Sequence, residues 1–192
     1  MRTHFKTRRS LIAVAVATLF MAVVLPAGVA NAGGNGATTG TQHVTGAAAD
    51  GLVVLDFQPG APTLPAGCWA NPDLGIVSTF GNAVLHFTVN PAQDFWFTTT
   101  YEGDAAVYPL ALPPTKDSNG NYILNRSGSA LYTGHLTTWF GFEGNQYNSV
   151  IHATASFHGT NPAGQAVNLN GHFQFATNAQ GVPTAQVSSI TC

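Results

Sequence analysis

The residues with chemistry to offer in this chain are histidines and tryptophans that recur at alternate positions of short apolar–polar segments. Over 150–158, Ile151, Ala153, Ala155 and Phe157 alternate with Val150, His152, Thr154, Ser156 and His158. Over 167–175, Val167, Leu169, Phe173 and Phe175 alternate with Asn168, Asn170, His172 and Gln174. Before them, Leu136, Phe140 and Phe142 alternate with His135, Thr137 and Trp139. Successive side chains of a strand point to opposite faces, so each segment has one apolar and one polar side. Keeping the apolar sides together fixes the parity of pairing. The registers that give compact loops then align Trp139, His152 and His172 in one row across three strands.

Two imidazoles on adjacent strands can supply two metal ligands, but a zinc site needs at least a third. No Asp, Glu or Cys lies on the three polar faces within these segments, so no metal site is expected. Histidine acid–base catalysis needs an orienting carboxylate, and none is placed beside the row, so no catalytic residue is assigned. Trp96 shares the polar parity of its own segment, between Asp94 and Thr98. An indole on an outer sheet face among Asn, Gln and Thr is the composition of a sugar-binding platform. The ring stacks on the apolar side of a sugar and the amides bond its hydroxyls. The competing reading is that proline-rich segments cover this face and make Trp96 and Trp139 minor core residues. Asp94, Glu102, Asp104 and Glu143 fall at strand ends or loops, and no pair among them is singled out for glycoside hydrolysis. The chain has no G-x-S-x-G elbow, H-E-x-x-H pair, phosphate loop or dinucleotide fingerprint, and no cofactor is expected.

The elements that must position these residues are strands. Ala83–Val89 and Asp94–Glu102 alternate with period two, and Asn90-Pro91-Ala92-Gln93 between them suits a hairpin. Strands are also predicted over Leu52–Phe57, Leu131–Phe142, Val150–His158, Val167–Phe175 and Thr184–Thr191. Residues 58–75 hold four prolines and read as an irregular loop. Residues 105–116 are apolar but broken by Pro109, Pro113 and Pro114, which confines any strand there to an edge. Asp117-Ser118-Asn119-Gly120 is a turn signal. No segment after the first 32 residues carries a capped helical period. The expected fold is all-β, an antiparallel β-sandwich or small β-barrel of about seven to nine strands, closed by one disulfide.

The N-terminus supplies the compartment. Arg2, Lys6, Arg8 and Arg9 precede an apolar run from Leu11 to Leu25, then Pro26 and the small residues Ala30-Asn31-Ala32. This is the layout of a secretory signal peptide with cleavage after Ala32, and the run is short for a membrane span. Arg8-Arg9 also resembles a twin-arginine signal, although two arginines equally suit an ordinary basic region. The expected division is 1–32 signal peptide, 33–49 flexible tail and 50–192 one β domain. Beyond residue 32 only Lys116 and Arg126 face eight acidic residues, a formal net charge of −6. Such a surface does not neutralise phosphates, so nucleic acid is excluded as a partner, and docking on an anionic membrane is disfavoured. In an exported chain, the two cysteines, Cys68 and Cys192, most simply form one disulfide that ties down the C-terminus.

The segment Gly159–Phe175 (GTNPAGQAVNLNGHFQF), with Asn161, Gly164, Val167, Asn170 and Gly171, resembles a hairpin of small secreted β-rich proteins of actinobacteria. In those proteins one cysteine precedes the central sheet and another lies near the C-terminus, as Cys68 and Cys192 do here. The family's lysine after the glycine is Gln165 in this chain. The resemblance implies export and a disulfide-closed β domain, and carries over no catalytic residue. The function expected is a secreted, non-enzymatic binding or surface-interaction module with carbohydrate as the leading ligand class. The alternative is a small β-barrel that holds an apolar small molecule, as a carrier or cofactor-free isomerase.

Overall fold

The computed structural model describes residues 36–51, 54–56, 74–92, 94–111, 115, 123–145 and 147–192, without the side chains of 54–56 and 188. The signal segment with Ala32, the turn at 117–120 and Cys68, hence the pairing of Cys68 with Cys192, lie outside these residues.

The described chain is all-β. Its strands are β1 (Thr38–Gly46), β2 (Val54–Asp56), β3 (Leu74–Val89), β4 (Phe95–Pro109), β5 (Tyr132–Gly144), β6 (Asn148–Thr160), β7 (Ala166–Asn178) and β8 (Pro183–Thr191). They form one antiparallel sheet in the order β1-β3-β4-β5-β6-β7-β8, with β2 paired to β3. From β3 onward this is a meander in which every strand pairs with its sequence neighbours. The helical element among the described residues is a 3-10 turn, Ala47–Ala49. The sheet is not closed, because no ladder joins β1 to β8 among the described residues.

Two sequence expectations change. Residues 38–46, read as part of a flexible tail, form β1 and pair with β3 from Thr38↔Val89 to Gly46↔Gly81. The core-side positions of β1 are Thr38, Gly40, Gln42, Val44 and Gly46, so the strand carries almost no apolar period. Its partner supplies the bulk instead: the Phe87 ring covers Gly40, and a Cβ there would lie 2.3 Å from that ring. Residues 105–109, expected at most as an edge, continue β4 between β3 and β5. Pro109 is the last residue of β4, so no ladder bond is lost from the strand interior. Alternation disappears there because Ala105, Ala106 and Val107 are all buried, on both sides of the sheet.

One face of the sheet builds the core. Leu136, Phe157 and Leu169 are direct cross-strand neighbours on β5, β6 and β7, and all three are buried. Val44 from β1 and Ile190 from β8 pack against the same cluster, so the sheet curls until both edge strands reach one core. The 3-10 turn is bound into this cluster: Ser78 Oγ donates to the Ala49 carbonyl at 2.6 Å, and the Gly51 amide donates to the Ser78 carbonyl at 2.9 Å. Close strand approach requires the opposed glycines Gly134 and Gly159. A Cβ on Gly134 would lie 2.1 Å from the His158 carbonyl oxygen, and one on Gly159 would lie 2.6 Å from the Phe157 ring.

Tyr101 is the buried titratable group of this core. Its hydroxyl donates to the Asp104 carbonyl at 2.5 Å, with the Phe80 carbonyl at 3.2 Å. Burial, reinforced by the charge of Asp104, pushes its pKa up to about 12. The folded state therefore holds the phenolic proton more tightly than the unfolded chain. Its contribution is complete below about pH 10 and disappears as the pH rises towards about 12, some 2–3 kcal/mol in all. In urea titrations over this range, wild-type stability is expected to fall more steeply than that of Tyr101→Phe. Parallel slopes would show that Tyr101 does not carry the effect.

Candidate functional site

The face opposite the core is polar across the meander. It carries Trp96, Thr98, Thr100, Glu102 and Asp104 of β4, His135, Thr137, Trp139 and Glu143 of β5, and the histidine faces of β6 and β7. The parity read from sequence holds, but the register differs by two residues. Trp139 stands opposite Thr154, and Thr154 opposite His172. His152 stands opposite Gly141 on one side and Gln174 on the other. The single row of Trp139, His152 and His172 therefore does not form, and His152 sits one step along the strand from the other two.

Asparagines at the turns set this register. Asn145 Oδ1 accepts the amides of Tyr147 and Asn148 at 2.7 and 3.0 Å. Asn161 Oδ1 accepts those of Ala163 and Gln165 at 3.0 and 2.9 Å, and Gly164 takes a positive φ of 79° in the same turn. Asn178 repeats the pattern before β8. An asparagine that bonds the backbone ahead of it fixes where a turn begins, and so which residues pair. In the β3–β4 hairpin expected from sequence, Asn90 plays this part by accepting the Asp94 amide at 2.9 Å.

Trp139 lies over a vacancy in its own strand. A Cβ on Gly141 would fall 2.5 Å from the six-membered ring of the indole. Because His152 is opposite Gly141, the indole meets that imidazole as well, with ring centroids 6.4 Å apart. Trp139 remains 39% exposed and Trp96 40%, so neither is a minor core residue. The two share the outer face roughly 14 Å apart, four residues along the strand direction and one strand across.

Beside Trp139 is an open depression of about 380 Å³ lined by Thr137, Trp139, Thr154, Ser156 and Asn170, with the backbone at Thr138, Ala155 and Gly171 as its floor. Its hydroxyls and amides are ordered among themselves. Ser156 Oγ donates to Asn170 Oδ1 at 2.7 Å and lies 3.0 Å from His158 Nε2, and His158 Nδ1 lies 2.8 Å from Asn168 Oδ1.

Carboxylates come closer to the histidines than the sequence indicates. Glu143, expected in a loop, is on the outer face of β5 opposite Trp96 and Val150. Glu102 Oε1 lies 3.7 Å from His135 Nε2, with both side chains open to solvent. An exposed pair of this kind contributes little to stability, about 0–1 kcal/mol. The signal for it was the even parity of β4, which puts Glu102 and Asp104 on the face of Trp96. Among the described residues no three His, Cys, Asp or Glu side chains are grouped to hold a metal ion. None of their helices is long and apolar enough to cross a membrane.

The core-side face is not uniform. Towards the β3–β4 turn its positions are Phe87, Phe97, Phe140, Phe142, Phe173 and Phe175, all half-buried rather than buried. Thr99, among them, is 2% exposed, and its Oγ1 is a buried oxygen with no hydrogen-bond partner. Comparison with protein-family models, curated proteins and solved structures returns no match for this chain.

Proposed function

We propose that this chain is an exported, non-enzymatic binding module whose outer sheet face takes carbohydrate. The observation that supports the reading is the joint exposure of Trp96 and Trp139 on one polar face, with the depression of Thr137, Thr154, Ser156 and Asn170 beside Trp139. An open indole supplies a stacking surface, and the flanking hydroxyl and amide groups suit sugar hydroxyls. The wide spacing of the two indoles favours an extended polymer over a single sugar. The basic start, apolar run and Ala30-Asn31-Ala32 of the N-terminus support export. A Cys68–Cys192 disulfide belongs to the same proposal.

Retention on insoluble polysaccharides tests it. Wild type is expected to be retained. Trp139→Ala and Trp96→Ala are each expected to weaken retention by about tenfold or more, the loss of roughly 1–3 kcal/mol typical of a stacked aromatic anchor. Gly141→Ala crowds the indole without removing an aromatic and is expected to weaken retention less. Absence of wild-type retention, or unchanged retention by both tryptophan variants, overturns the platform.

A second reading has one observation in its favour. The half-buried phenylalanines around the unpartnered Thr99 hydroxyl suit an apolar small molecule with one polar group. Partition of a fluorescent apolar probe into the folded protein, lost in Phe97→Ser, would support it. Absence of binding would remove it.

A further inference from the structure

We infer that the depression beside Trp139 selects an anionic glycan, one bearing carboxylate or sulfate groups, and does so below neutral pH. This inference rests on the carbohydrate reading and names the ligand class of the same face.

Four histidines stand next to residues that line the depression. His172 is the direct neighbour of Thr154, and His158 the direct neighbour of His135. His152 is two residues before Thr154 and His158 two residues after Ser156, so each lies about 7 Å from a lining residue. His135 stands two residues from Thr137 in the same way. The charged groups that face them are few. β4 contributes Glu102 and Asp104, β5 contributes Glu143, and β6, β7 and β8 contribute no carboxylate, lysine or arginine to this face. From β4 to β8 the face carries three negative charges with neutral imidazoles and one net positive charge with these four protonated, and His43 of β1 and His86 of β3 lie further across the same face. Of the three carboxylates, Glu102 borders the depression, opposite the lining residue Thr137 and beside His135, whereas Asp104 and Glu143 lie beyond it. Protonation therefore places positive charge on the β6–β7 side of the depression, where neither strand carries a carboxylate.

The hydrogen bonds fit the charged ring. His158 Nδ1 faces Asn168 Oδ1 at 2.8 Å, and Nε2 faces Ser156 Oγ at 3.0 Å. The proton of Ser156 is already given to Asn170 Oδ1 at 2.7 Å. With Asn168 in this orientation only the imidazolium form of His158 donates to both oxygens. Histidine is the side chain on this face whose charge responds to mild acidification, and protonation changes the sign of the β4–β8 face. Trp139 stacks the sugar ring and the imidazolium ring of groups meets its acid.

The test is affinity electrophoresis of the full chain through gels containing polygalacturonate or uncharged hydroxyethyl cellulose, at about pH 5 and about pH 8. Retardation by polygalacturonate is expected to be roughly tenfold stronger at the lower pH, to weaken with added salt, and to depend clearly less on pH in the His152→Gln/His172→Gln variant. Near-ultraviolet circular dichroism of the variant checks that it is folded. Should the variant unfold, His172→Gln alone replaces it, with a reduced pH response expected. Polygalacturonate retardation that is equal at both pH values, or a folded variant with the full wild-type pH response, overturns the inference. Binding of the cellulose polymer alone overturns it while leaving the platform standing. Binding of neither polymer at either pH overturns the two together.

Discussion

Replacing Phe157 by alanine is expected to lower the free energy of unfolding by about 3–5 kcal/mol, measured by urea denaturation. Phe157 is 0% exposed and stands between Leu136 and Leu169 in the central row of the core. Its ring occupies the space that Gly159 leaves by having no side chain. Strands β5 and β6 are held close by the opposed Gly134 and Gly159, so the surrounding backbone has little freedom to collapse into the void. A cavity that cannot relax retains its full penalty in lost contacts. Phe95→Ala is the control. Phe95 is 36% exposed and meets Phe142 with ring centroids 4.9 Å apart, at the far end of the sheet. Its loss is expected to cost about 1 kcal/mol. Equal effects of the two substitutions would show that the row of Leu136, Phe157 and Leu169 is not the centre of stability.

The second large effect concerns the proposed disulfide. Cys192→Ser is expected to destabilise the oxidised protein by about 4–5 kcal/mol, because a Cys68–Cys192 bridge would close a loop of more than a hundred residues. Cys192 directly follows β8, which among the described residues pairs with β7 and whose Ile190 packs on the core. A bridge there would anchor the last strand in the order of the sheet. Wild type under non-reducing conditions is expected to show no reactive thiol, and reduction is expected to lower its melting temperature to that of the variant. Two reactive thiols in the folded, untreated protein would remove the bridge.

The polar face and the core were legible in the sequence to different depths. Face membership of His152, His172, Trp139, Phe157 and Leu169 follows from strict alternation, since a strand turns each successive side chain over. The absence of helix-forming periods likewise fixed the all-β class. The pairing of those strands was not legible, because a slip of two residues preserves every face and leaves the apolar pattern unchanged. What decides between such registers is turn geometry, and the informative residues were Asn145 and Asn161 rather than the strand residues. The strand Thr38–Gly46 was hidden for a related reason. Its core-side glycines are covered by side chains from β3, so its burial is written in another segment.

By itself, the sequence determined the fold class, the two-faced strands, the acidic balance beyond the N-terminus and the residue types of the outer face. Each of these depends on composition or on local period, which the chain carries without reference to its partners. Only the tertiary structure decided that Trp139 pairs with Thr154 and meets His152, that Trp96 and Trp139 stay open, that Glu102 meets His135, and that His172 stands opposite a residue lining the depression. Those features depend on contacts between strands. They depend on where each hairpin turns and on how far the sheet curls, quantities set by hydrogen bonds at the turns and by packing in the core.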